Sequence, residues 1–390
     1  MESLKLIFST RRYFATAWVF ASLNVMIGTW VLYIPYIKDK LDINDGQLGI
    51  ALFFLSLGTL IMIPVAPRLI NKFGSGKVTI YGILTFSVLF QVPLLMDTYT
   101  MLCFALFMVG MSASLTDISM NALVSDVEQE DNVHYMSASH GFFSLGGVIG
   151  AGIGSLLITL IVFPYVHMML AMGFVVFTNV LLAGSYYRVK SKLTVDKQKK
   201  ISRSVAGSLI GLAVIAFIVM GSEGAIEHWS KLYMQDIVLI TSDQISGFGF
   251  VAFSMTMTVG RFFGDSISKR YGAYSIIIGG CIIATIGFAV LLASTIVLSI
   301  LGFSLIGLGY SVVIPELFRL AGKRKDVSTA TGISFVAGFG YVGFLASPAI
   351  MGLLSELDSL KLSFTTLMIS TILIIIIAGY LKAQKQNKVQ

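Results

Sequence analysis

"YYRVKSKLTVDKQKKISRS", residues 186–204, holds seven Lys or Arg and one Asp, in a chain whose other long segments are almost unbroken apolar sequence. A bilayer core takes about 20 apolar residues per helix. Reading outward from this basic stretch gives six such runs on each side, at 13–37, 46–70, 78–96, 101–123, 137–162 and 167–187, then 207–229, 244–268, 274–291, 296–318, 329–353 and 362–381. The stretch therefore reads as a linker. The expected organisation is a bundle over 1–187, a cytoplasmic linker over 188–206 and a second bundle over 207–390.

Composition agrees. The 390 residues are 56% hydrophobic and 12% charged, with a mean hydropathy of +0.87. Ordinary soluble domains carry roughly 25% charged residues, and a soluble fold with this composition would expose large apolar patches. The fold class is an all-α polytopic membrane protein. The net charge of +7 follows the topology. With the N-terminus cytoplasmic, 23 of the 27 basic residues fall inside, leaving Lys38, Lys40, Lys231 and Lys361 outside. That bias orients both termini to the cytoplasm and marks a membrane signature, not a nucleic-acid surface. The opening "MESLKLIFSTRRYF" runs into apolar sequence without a small-residue cleavage site, so it reads as a first membrane helix, not a removed signal. Cys103 and Cys281 lie inside apolar runs and read as small packing residues.

The two halves repeat. "PRLINKFGSGK" (67–77) follows the second run and "DSISKRYGAYS" (265–275) follows the eighth, so Lys72-Phe73-Gly74 aligns with Arg270-Tyr271-Gly272. Twelve spans in two parallel repeats around a basic linker resemble the major facilitator superfamily, whose fold places a binding site between the halves near midplane. The superfamily's signature between spans two and three is degraded here: Asn71 stands where Asp is expected and Lys72 where Arg is. "NALVSDVE" followed by "HGFFSLGGVIGAGIG" resembles the fucose:proton symporter branch, on Asn121, Glu128, His140, Ser144, Gly146 and Gly147. "GSEGAIEHWSKLY" (221–233) and "GYSVVIPELFRLA" (309–321) resemble the seventh and tenth helices of that branch. The resemblance implies proton-coupled transport, with a sugar as the solute class.

Polar residues inside the spans are the functional candidates, because ionisable groups in a membrane are costly and mark solute or ion routes. Asp117 and Asn121, four residues apart, share a helix face with Ser114. They read either as helix–helix contacts or as a cavity-facing proton and substrate site. Glu223 and Glu227 repeat the spacing on the seventh span. Glu223 is the second candidate proton carrier and could flank one central site with Asp117, while Glu227 and His228 approach the outer surface. Asn24, Trp30 and Tyr33 join Asn121 as candidate sugar contacts, the amides by directional hydrogen bonds and the rings by their apolar faces. Trp229 could serve likewise. The rival reading for the aromatics is an interfacial belt.

The stretch after the fourth span carries Asp126, Glu128, Glu130 and Asp131; its repeat counterpart carries Arg319, Lys323, Arg324 and Lys325. A cytoplasmic gate is expected in which Asp126 or Glu128 pairs with Arg319 or Lys323, with His140 beside it as a cap, packing residue or relay. Basic partners there would offset the cost of anions at a helix C-terminus. His134 and His167 fall in loops. The histidines and cysteines show no metal-ligand spacing, and no phosphate-binding loop or catalytic triad is present, so neither a metal, a cofactor nor an enzyme is expected. The leading expectation is a monomeric secondary transporter in the cytoplasmic membrane, moving a small hydrophilic solute such as a monosaccharide in symport with protons. A proton-driven exporter of drugs or metabolites on the same fold is the alternative, favoured by eighteen methionines and twenty-eight phenylalanines. A non-transporting receptor or scaffold is the third class.

Overall fold

The computed structural model describes residues 2–161, 163–190, 203–322 and 329–387, with side chains described except at 2–4, 137, 203–208, 262–270, 329–331, 334 and 385–387. All regular structure among the described residues is helical. The first half of the chain contains α1 (Glu2–Ser9), α2 (Arg11–Val31), α3 (Ile34–Lys40), α4 (Asp45–Met62), α5 (Ala66–Phe73), α6 (Ser75–Leu89), α7 (Val92–Leu95), α8 (Tyr99–Asp131), α9 (Met136–Leu157) and α10 (Pro164–Ala183). The second contains α11 (Arg203–Leu232), a π-turn (Tyr233–Ile237), α12 (Asp243–Tyr271), α13 (Ala273–Leu291), α14 (Ile296–Tyr310), α15 (Val313–Gly322), α16 (Thr329–Leu357) and α17 (Leu360–Asn387). Eleven of the described segments are long and apolar enough to cross a membrane. A further helix, α12, is 29 residues long, about 43 Å at 1.5 Å per residue, and so has the length to cross as well.

Proline explains where the expected spans break. Pro35, Pro67 and Pro93 sit in the first turns of α3, α5 and α7. Proline lacks a donor N–H and disfavours helical geometry in the residue before it, so each run divides into a long helix and a short one. Two spans are longer than their hydropathy suggests. The fourth continues as α8 through the acidic residues to Asp131, ending at Asn132 in the left-handed conformation (φ 52°). The seventh reaches Ile237 through the π-turn, which places Glu227 and His228 well inside it.

Two compact units emerge, Met1–Val195 with Ser242–Val251, and Asp196–Thr241 with Ala252–Gln390. The main division falls in the basic linker, but the first turns of α12 group with the first unit instead of the second. There Gln244 Nε2 donates to Thr159 Oγ1 at 2.7 Å, and Gly247 rests against Ser155 and Leu32.

Within the first unit α2 packs on α9, and α8 packs on α4 and α6; within the second α11 packs on α16, and α13 packs on α14 and α17. The sequence repeat extends to backbone contacts. Gly74 (φ +90°) and Gly272 (φ +78°) occupy the same turn in each half, a conformation that side chains with a Cβ rarely adopt. A Cβ on Gly110 would collide with the Leu55 carbonyl, and one on Gly307 with the Phe253 carbonyl. Gly146 meets the Ala21 carbonyl as Gly343 meets that of Phe217. Close backbone approach at small residues is what holds helices together where lipid offers no hydrophobic driving force.

Candidate functional site

In the first unit the candidate site lies on α8. Asp117, Asn121, Ser125 and Glu128 are half-buried, whereas Ser114, Thr116, Ser119, Met120, Ala122, Leu123 and Val124 are buried. The spacing of four, four and three residues aligns the half-buried group along one face. Asn121 Nδ2 donates to the Asp117 backbone carbonyl at 2.8 Å and to Asp117 Oδ1 at 3.3 Å. The amide thus orients the carboxyl from one turn below, and neither side chain is sealed in a helix contact. Ser114, expected on the same face, is buried.

In the second unit the site lies on α11. Between Gly221 and Met234 only Glu223 and Glu227 are half-buried; every other residue of that stretch is buried. Arg261 on α12 brings a guanidinium nitrogen to 3.8 Å from Glu223 Oε2. The other oxygen, Glu223 Oε1, is buried without a hydrogen-bond partner among the described residues. His228 is buried, with Nδ1 2.8 Å from the Gly224 carbonyl, and is a packing residue of the helix. Trp229 is fully buried and unavailable to a solute. Arg261 was visible in the sequence as a cation well inside an apolar run, a signal of function in its own right; counting it only toward topology hid it.

Three expected solute contacts sit elsewhere. Asn24 is 5% exposed, its Nδ2 donating to the Phe143 carbonyl at 2.9 Å and lying against Gly147. It therefore joins α2 to α9. Trp30 is buried against Phe90, with ring centroids 5.3 Å apart. Tyr33 is buried and its hydroxyl lies 2.7 Å from Nδ1 of His167. Neither ring presents a free face, nor does either form an interfacial belt. His167, expected in a loop, belongs to α10 and is buried.

The acidic stretch is partnered within the first unit. Asp126, 2% exposed, accepts the Ser75 hydroxyl at 2.6 Å, at the start of α6. Glu128 Oε1 accepts the backbone N–H groups of Tyr135 and Met136 at 2.5 and 2.7 Å, so it caps the start of α9. Arg12 pairs with Asp131 at 2.9 Å and with Glu130. Arg319 lies 2.9 Å from the buried Glu316, three residues before it on α15; Lys323 lies outside the described residues. His140 is exposed, its ring edge-on to Phe20. Arg12 and Ser75 were not expected from sequence, because their roles depend on which helices meet, whereas Glu316 lies three residues before Arg319 on one helix, a spacing legible in sequence. Among the described residues no group of three or more His, Cys, Asp or Glu could hold a metal ion.

Many segments long and apolar enough to cross a membrane, with half-buried carboxyls inside them, are the pattern of a multi-pass membrane protein with an ion or solute route. Residues 14–328 match the Major Facilitator Superfamily, and the chain belongs to that family of secondary transporters, whose members bind small-molecule substrates in the membrane. It is 27% identical to an uncharacterized MFS-type transporter of Yersinia pestis, over 87% of each chain. Two solved structures are similar in fold. The nucleoside transporter NupG matches with a TM-score of 0.73 and 12% identity over 95% of this chain and 99% of that one. The Escherichia coli fucose:proton symporter matches with a TM-score of 0.62 and 17% identity, over 95% and 98%.

Proposed function

We propose that this protein is a proton-coupled symporter of a small hydrophilic solute, a monosaccharide being the leading class, working by alternating access. The observation that carries the reading is that each unit holds a half-buried carboxyl inside a crossing helix beside a polar partner, Asp117 with Asn121 and Glu223 with Arg261. Ionisable groups so placed are retained at a cost of a few kcal/mol or more, which a proton or solute route explains. Asp117 and Glu223 carry the proton, and Asn121 contacts the solute. The solute class is supported by the fucose-branch residues Asn121, Glu128, His140, Ser144, Gly146 and Gly147. Fucose and nucleosides, for which two fold neighbours are named, are both small hydroxyl-bearing solutes. The protein works as a monomer in the cytoplasmic membrane, both termini cytoplasmic, with the proton gradient as energy source and no cofactor.

The test is uptake of a panel of radiolabelled monosaccharides into proteoliposomes under an imposed gradient, acidic outside. Accumulation that stops when the gradient is dissipated is the expected result. Accumulation indifferent to the gradient would refute coupling. Solute expelled against its gradient as protons enter would establish the exporter instead.

A further inference from the structure

The turn between α5 and α6 and the segment after α10 are locked together. The Gly76 N–H donates to the Val189 carbonyl at 3.2 Å. A Cβ on Gly74 would come within 2.9 Å of that same carbonyl, and one on Gly76 would collide with the Tyr186 carbonyl. Two backbone stretches far apart in sequence thus run side by side, and their exposed side chains form one surface.

That surface is basic and aromatic. Lys72, Lys77, Arg188 and Lys190 are all exposed. The Lys77 ammonium lies 5.6 Å from the centre of the Tyr187 ring, and that of Lys72 lies 5.2 Å from the Phe73 ring. Tyr81, 58% exposed, meets Tyr187 edge to face with their hydroxyls 3.3 Å apart. Among the described residues no carboxylate lies within ion-pair distance of any of the four cations. Asp126, the acid beside this turn, is buried and takes the Ser75 hydroxyl.

The depth is that of lipid headgroups. The crossing segment containing α6 begins at Ser75 and the one containing α10 ends at Ala183, so the patch sits where both meet the membrane surface. Tyr81 lies six residues into α6, about 9 Å inward, where interfacial aromatics lie along the upper part of an acyl chain.

We propose that this surface is a binding site for an anionic phospholipid, Lys72, Lys77, Arg188 and Lys190 holding the headgroup phosphate and Tyr81 and Tyr187 flanking the chain below it. A zwitterionic lipid fits worse, because four cations repel its ammonium and no carboxylate described on the surface offsets them. Basic residues near a membrane surface strengthen anionic-lipid binding about five-fold each.

The full chain, delipidated in detergent and offered equimolar phosphatidylglycerol and phosphatidylcholine, should retain phosphatidylglycerol preferentially by native mass spectrometry. The double variant Lys77→Gln/Arg188→Gln should lower that retention by about 25-fold. Its melting temperature in phosphatidylcholine alone should match wild type, since both side chains are exposed. Lys5→Gln/Lys382→Gln, which removes two charges from the same side of the membrane elsewhere, should leave retention unchanged. Equal retention of both lipids, equal loss in both double variants, or undiminished retention in the first would each overturn the site. So would displacement of the lipid by an equal concentration of inorganic phosphate, which would assign the surface to a soluble anion.

Discussion

Replacing Glu128 by Ala should destabilise the first unit by about 3 kcal/mol. One carboxylate oxygen accepts two backbone N–H groups, of Tyr135 and Met136, at 2.5 and 2.7 Å. These belong to the first residues of α9, whose donors have no partner within the helix, and no side chain of Tyr135 caps it. Hydrogen bonds to a charged group contribute about 1.5–3 kcal/mol each. Glu128 is half-buried, so water replaces part of what is lost and the lower value applies to each bond. Glu128→Gln keeps a neutral oxygen acceptor and should cost about half as much. Equilibrium unfolding in mixed micelles, followed by tryptophan fluorescence, measures both. A loss below about 0.5 kcal/mol for Glu128→Ala would refute the capping argument, being no more than an ordinary surface substitution produces. The gate expectation is tested on the same position. If Glu128→Lys raises cytoplasmic-side thiol labelling and Arg319→Glu restores it, while stability is unchanged, Glu128 serves the gate and not the cap.

Asp117→Asn should fold normally, since an amide is nearly isosteric and cheaper to bury than an anion, yet abolish gradient-driven accumulation in proteoliposomes; normal accumulation would make Asp117 a packing residue. Arg261→Gln should lower stability by removing the cation facing Glu223, and Glu223→Gln in the same chain should recover part of the loss, because a lone charge in a poorly solvated site costs more than none; unfolding curves of the singles and the double decide this. Gly110→Ala and Gly307→Ala should each destabilise by about 1–3 kcal/mol by overpacking against the neighbouring helix. By contrast Gly173→Ala, whose Cβ meets nothing within 4 Å, should stabilise by about 0.5–1 kcal/mol through helix propensity; equal effects at all three positions would undo the close-approach argument.

Hydropathy and charge are sums over neighbouring residues, so the sequence alone determined that this chain crosses a membrane many times, repeats itself, and concentrates cations in its linker. The equivalence of Gly74 and Gly272 was legible for the same reason, as a local motif present twice, and the structure adds that both take a positive φ. The partners of polar residues were not, because a partner is chosen by which helix faces meet. Asn24 and Asn121 are the same residue type, and both were expected to contact a solute. Packing of α2 on α9 turned Asn24 into a contact with the Phe143 carbonyl, whereas a half-buried face of α8 left Asn121 to orient Asp117. Likewise the acidic run 126–131 reads in sequence as one cluster needing one basic counterpart. On a helix, successive residues point in different directions: Asp126 meets Ser75, Glu128 meets the start of α9, and Glu130 and Asp131 meet Arg12. Only the tertiary structure could make that division, because it depends on neighbours that the helix meets on three different sides, two of them, Ser75 and Arg12, distant in sequence.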